Sequence, residues 1–130
     1  MSSVFTKIIN KELPAYIVSE DSENIAFLDI SPVKKGHVLV VPKLEVDNIF
    51  ELPSENYLSL FLFAKKVSKG IVKVIPCNRI GVSVIGLEVP HAHIHLIPIN
   101  KLDDINFNNR INMNSDELHH LSQKISEQIN

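Results

Sequence analysis

The chain carries a single cysteine, Cys77, among its 130 residues. A lone thiol closes no internal disulfide, and Cys77 has no Cys-x-x-Cys neighbour with which to build a zinc site, so the sequence suits a reducing compartment. Long hydrophobic runs are also missing: no stretch approaches the roughly eighteen consecutive apolar residues a membrane span needs. Residues 1–7 lack the apolar core of a secretory signal, which makes the cytoplasm the expected setting and a membrane an unexpected partner. Neither sign of charge dominates. Thirteen Lys and Arg stand against fifteen Asp and Glu, a formal net charge of -2, and they are scattered along the chain. That excludes the basic footprint of a nucleic-acid binder, so any nucleotide partner is expected to be small. No internal repeat, low-complexity tract or linker divides the chain, and one domain over residues 1–130 is expected. The absence of a Gly-x-x-x-x-Gly-Lys loop argues against kinase-like handling of phosphate.

What is present reads as an α+β fold with a mostly antiparallel sheet of five strands, one long helix and shorter helices at either end. Residues 4–10 form a short amphipathic helix. Residues 15–20 and 24–28 are two strands joined by the polar turn Asp21-Ser22-Glu23, and residues 37–42 are a β-branched run ending at Pro42. The main helix is expected over residues 55–75 with Ser54 as its N-cap and Pro76 as its stop. Its core stripe is Tyr57, Leu60, Phe61, Ala64, Val67, Ile71 and Val74, at the three-and-four spacing of one buried helical face. Leu58, Leu62 and Phe63 fall off that stripe and are expected to serve a subunit contact. Strands over residues 80–85 and 92–99 flank a five-residue connection, and Asn114 with Glu117 resembles a capping box opening a last helix. Consecutive strands should meander, with the helices on one face. Lys65, Lys66, Lys69 and Lys73 read as the solvated side of the main helix, and His119 and His120 as surface residues of the last one.

Chemistry concentrates in Pro90-His91-Ala92-His93-Ile94-His95-Leu96-Ile97-Pro98. A strand sends alternate side chains to opposite faces, so the three imidazoles would share one face while Ala92, Ile94 and Leu96 enter a core. Isolated histidines are usually surface or satisfied core residues, but three in strict alternation suit proton transfer, nucleophilic attack or metal ligation. A metal is the first competitor. His91 and His95 would stand roughly 13 Å apart at about 3.3 Å per residue, too far to share an ion. A metal site on His91 and His93 would need outside ligands that no motif supplies. Phosphate chemistry fits more naturally, because a neutral imidazole can attack phosphorus while its neighbours donate to the non-bridging oxygens.

His-x-His-x-His followed by two hydrophobic residues, here His91, His93, His95, Leu96 and Ile97, resembles the signature of the histidine-triad family. Upstream, Phe5 to Pro14, Ala26 to Pro32 and Gly36 to Lys43 resemble successive blocks of its nucleotide-binding branch. The resemblance covers about residues 4–99, and residues 100–130 carry no such signal. It implies the fold just described and an enzyme that cleaves a phosphoanhydride or phosphoramidate bond at a nucleotide's α-phosphate through a nucleotidyl-histidine. The base is expected to be a purine, and no cofactor or metal is implied. His93 would be the nucleophile, His95 and His37 would line the phosphate site, and His91 would hold the nucleophile's strand. Asp29 would receive the ribose hydroxyls, although it also reads as the opening of a turn before Ser31-Pro32. Ile8, Leu13, Phe27 and Ile30 would form the base cleft, and relatives form homodimers through the main helix and an adjacent strand.

The chain departs from the family ahead of the triad. Where many relatives have an Asn, a Gly-rich segment and a Ser or Thr, it has Val84-Ile85-Gly86-Leu87-Glu88-Val89-Pro90. A carboxylate there would repel phosphate unless protonated or paired, so Glu88 either donates a proton with a raised pKa or faces away. Two alternatives follow in function. One is a nucleotide-binding or adaptor protein with little turnover, motivated by Glu88; the other is the small metalloprotein on His91 and His93.

Overall fold

A computed structural model describes residues 2–130. Five strands form one sheet: β1 (Ile17–Glu20), β2 (Asn24–Leu28), β3 (Val38–Pro42), β4 (Arg79–Ser83) and β5 (Ile94–Ile99). All four pairings are antiparallel and the order across the sheet is β1-β2-β3-β5-β4. The chain therefore meanders only at its ends. Helix α2 (Ser54–Val74) carries it across the sheet, β4 lands at the outer edge, and β5 returns between β4 and β3. That return sets the histidine-bearing strand beside the strand that follows His37.

The two faces differ. Val18, Ala26, Leu28, Val38, Val40, Ile94 and Leu96 point to a core filled by α2 and by α3 (Ser115–Ile129). Ile25, Phe27, Leu39 and Val41 point the other way, onto Phe5 and Ile8 of α1 (Val4–Ile9). The helices are thus not all on one face. Helix α1 sits opposite the other two because Phe5 and Ile8 give it a short apolar stripe of its own, matched to the alternate residues of β2 and β3.

Within α2, Phe63 is buried in the core, contrary to the expected interface role, because it lies three residues after Leu60 and four before Val67 on the same stripe. Tyr57, Phe61 and Val74 are only partly buried against that core. Pro53, not Ser54, precedes the helix, and no side chain caps its first turn. Asn114 does form the expected capping box with Glu117. The C-terminal segment, which carries no family resemblance, closes the main core through Leu118, Leu121 and Ile125. His119, His120 and the four lysines of α2 are exposed.

Two local features place the site. Gly36 turns the chain into β3 with φ +93°, a left-handed value, and a Cβ there would meet Ile75 Cγ1 at 2.8 Å. At the other end, β5 starts at Ile94, later than expected. In the β3–β5 register Val40 faces Ile94, so Ala92 would face Pro42, which has no N–H to give the ladder. The Ala92 amide goes to the Val46 carbonyl instead. No helix among the described residues is long and apolar enough to cross a membrane.

Candidate active site

His91 and His93 precede the strand proper, yet all three triad histidines keep the α1 face while Ala92 and Ile94 enter the core beneath. The rings of His93 and His95 meet edge-on with centroids 5.0 Å apart, and Phe5 packs edge-on against His93 at 5.0 Å and His91 at 5.8 Å. His93 and His95 line a cleft of about 500 Å³, with His91 and His37 behind it. Its walls include Ile8, Leu13, Phe27 and Ile30, the four apolar residues expected for a base, together with Asp29 and Glu88. The size is that of a small-molecule site.

Hydrogen-bond partners assign the imidazole protons. His37 Nδ1 accepts the Val33 amide at 3.0 Å, so Nε2 must carry that ring's proton and donates it to His95 Nδ1 at 2.9 Å. His95 is left with its own proton on Nε2. His93 Nδ1 lies 2.7 Å from the His91 carbonyl, an acceptor only, so Nδ1 holds the proton and Nε2 is a bare lone pair. His91 Nε2 likewise donates to the Pro42 carbonyl at 2.7 Å, leaving Nδ1 to accept the Ser3 hydroxyl at 2.7 Å. Backbone groups thus give His93 the tautomer of a nucleophile and His95 that of a donor.

Electrostatics agree. Burial pushes His37 down to about 3, helped by the positive charge of Arg110, and burial with the neighbouring His37 pushes His95 to about 3. Burial also lowers His91 and His93 from the ordinary imidazole value. All four rings are therefore neutral near pH 7. Both nitrogens of His91 are committed, which removes the metal pair of His91 with His93. Asp29, His37 and His95 have ligand atoms within 4.8 Å of one another, but the Val33 amide keeps a proton on His37 Nε2 and denies that nitrogen to an ion.

Asp29 opens the turn and also borders the cleft. One carboxylate oxygen accepts the Ser31 amide at 2.8 Å, as a turn-opening Asp does, and the other lies 3.2 Å from Arg110 and 3.7 Å from His37 Nε2. Glu88 pairs with no histidine among the described residues, although its charge reaches His93 across the cleft. Its side chain is 82% exposed at the cleft mouth, 3.7 Å from Arg110.

Sequence reasoning missed the flanking groups. Ser3 caps α1 by accepting the Thr6 amide while its hydroxyl donates to His91. Glu45 accepts from the Ser3 amide at 2.8 Å and from the Thr6 hydroxyl, and these bonds hold its carboxyl well below the usual range. From the C-terminal segment, Phe107 packs edge-on against His95 at 4.8 Å and Arg110 lines the cleft. Arg110 is one of only two arginines in the chain, which was a signal available before the structure.

Ser3→Ala is expected to cost about 1 kcal/mol as a lost cap and to lower kcat about tenfold, the equivalent of one buried hydrogen bond, with KM little changed. Ser3→Thr should restore both. Wild-type kcat in a destabilised Ser3→Ala, read by thermal melts beside steady-state kinetics, would reduce Ser3 to a helix cap.

Residues 10–102 match the HIT domain family. The chain is 35% identical to an uncharacterized HIT-like protein of Borreliella burgdorferi over 97% of each chain. It is 37% identical to an adenosine 5'-monophosphoramidase of Schizosaccharomyces pombe, over 75% of this chain and 74% of that one. Among solved structures, a HIT-like protein involved in cell-cycle regulation from Bartonella henselae superposes with a TM-score of 0.86 at 30% identity, covering 98% of this chain and 96% of that one.

Proposed function

The chain belongs to the HIT family, the premise from which we propose that it is a nucleotide phosphohydrolase or nucleotidyl transferase acting at the α-phosphate through His93. The observation that carries this reading is the bare Nε2 of His93, pinned by the bond from its Nδ1–H to the His91 carbonyl. Attack by Nε2 forms an N–P bond as the bond to the leaving group breaks, and the leaving group departs with the bonding pair. The substituted ring becomes cationic, and the carbonyl already placed at Nδ1–H stabilises that charge. His95 Nε2–H supplies a hydrogen bond to a non-bridging oxygen. Water, or a second acceptor, then takes the nucleotide from His93.

The base would rest between Ile8, Leu13, Phe27 and Ile30, and a flat purine fits such apolar walls. The similarity to an adenosine 5'-monophosphoramidase supports a phosphoramidate as one substrate. The test is to incubate the purified protein with adenosine phosphoramidate, diadenosine polyphosphates and ADP-sugars and follow AMP release by chromatography. Release from at least one is expected. No release from any, with AMP still bound, would overturn the enzyme in favour of a binding protein, for which the exposed Glu88 in the approach segment is the motivating feature.

The enzyme is proposed to be a homodimer. Leu58 and Leu62 are 65% and 68% exposed on the outer side of α2, and Val82, Val84 and Ile85 are exposed on and just after the edge strand β4. Such apolar exposure is costly in a monomer. Light scattering should give twice the chain mass for the wild type and the monomer mass for Leu58→Lys/Leu62→Lys. A monomeric wild type would remove the proposal.

A further inference from the structure

The cleft is short of positive charge for a site that would hold a phosphate. The imidazoles of His93 and His95 are neutral, Asp29 and Glu88 are carboxylates, and Arg110 is the one Lys or Arg among the described residues lining it. A phosphate entering there finds a neutral donor in His95 Nε2–H, and the Arg110 guanidinium is the one countercharge in the lining.

Arg110 is built into this position. The strap that carries it is tied down where the Ile111 amide donates to the Pro32 carbonyl at 2.8 Å. Phe107, on the same strap, packs against His95 and lies under the guanidinium at 5.4 Å. Nε donates to the Phe107 carbonyl at 3.2 Å, and one terminal nitrogen donates to the Ser31 carbonyl at 2.8 Å and to Asp29 at 3.2 Å. The other terminal nitrogen lies 3.7 Å from Glu88. The guanidinium thus bridges the carboxylate assigned to the ribose and the cleft mouth.

We propose that Arg110 recognises the substrate's phosphate alongside His95: its guanidinium sits on Asp29, and ribose hydroxyls taking that carboxylate would free it for the phosphate. The inference rests on the nucleotide reading above. Asp29 can make the exchange because one of its oxygens stays with the Ser31 amide, so hydroxyls and guanidinium compete for the other. A guanidinium suits the role, since its fork matches two phosphate oxygens at once. The proposed specificity is for a nucleotide over the corresponding nucleoside.

The experiment is calorimetric titration of the full chain with AMP and with adenosine, which share base and ribose and differ by the phosphate. In the wild type AMP should bind more tightly, and more weakly as salt rises. Arg110→Gln should weaken AMP at least tenfold with a flatter salt dependence, and should leave adenosine unweakened or tighter, since its ribose no longer competes with the guanidinium for Asp29. Arg110→Lys, which keeps the charge and loses the fork, should recover part of the loss and provides the comparison if the glutamine variant does not fold. Equal weakening of both ligands would overturn the proposal, because Arg110 would then act only by positioning Asp29; so would no change in either. A wild type that binds neither ligand would overturn the nucleotide reading itself, an outcome separate from any difference between variants.

Discussion

Replacing His93 with alanine is expected to reduce AMP release by a factor on the order of 10³ or more, while AMP binding stays within a few-fold of the wild type. The magnitude follows from removing a nucleophile for which no neighbour can substitute. His91 has both nitrogens bound to Pro42 and Ser3, and His37 has both bound to Val33 and His95. His95 does line the cleft, but its Nε2 carries the proton imposed by the His37 chain and offers no lone pair. Binding should survive because the apolar walls, Asp29 and Arg110 are untouched. Denatured wild-type protein after turnover should carry an acid-labile phosphorus label from an α-labelled substrate, absent from the alanine variant. Turnover in His93→Ala within tenfold of wild type would end the assignment, because the reaction would then not pass through this ring.

Lowering the pH from 7.5 to 5 is expected to destabilise the fold by several kcal/mol. In the unfolded chain an imidazole takes a proton as pH falls through about 6.5. Folded His37 stays neutral down to about 3, because it is buried and the Val33 amide occupies the nitrogen a second proton would need. The unfolded state therefore binds more protons throughout that window, so the contribution is whole above pH 6.5 and lost steadily towards pH 3. At about 1.4 kcal/mol per pH unit, His37 alone accounts for about 2 kcal/mol between pH 6.5 and 5. His95, also depressed to about 3, and His91 and His93 act in the same direction. Urea midpoints measured from pH 7.5 to 5 should fall, and the slope should flatten in His37→Gln. A midpoint that does not move over this range would show that unfolding takes up no extra protons, contrary to the neutral, buried imidazoles described here.

The same four histidines show how far the sequence could be read. Alternation alone placed Ala92, Ile94 and Leu96 in a core and the triad on the opposite face, because side-chain direction in extended backbone has a period of two and depends on nothing distant. The three-and-four spacing along α2 and the capping box at Asn114 were legible for the same reason. The strand boundary at Ile94 was not, since it depends on Pro42 standing opposite Ala92, a matter of register between segments fifty residues apart. Nor was Phe63, whose place in the core or at a surface depends on which side of α2 the sheet lies.

The sequence by itself determined the type and order of the main elements, the two faces of the histidine segment and the family, and with them His93, Asp29 and the apolar cleft residues as candidates, because these follow from local periodicity and contiguous motifs. Only the tertiary structure decided which nitrogen of each histidine carries its proton, since the partners are carbonyls and amides of Pro42, Val33 and His91 brought together by the return of β5 beside β3. It alone brought Ser3 to His91 and Arg110 to Asp29, across separations of 88 and 81 residues. A hydrogen bond or an ion pair forms where two groups meet in space, and the order of residues along the chain carries no direct record of such a meeting.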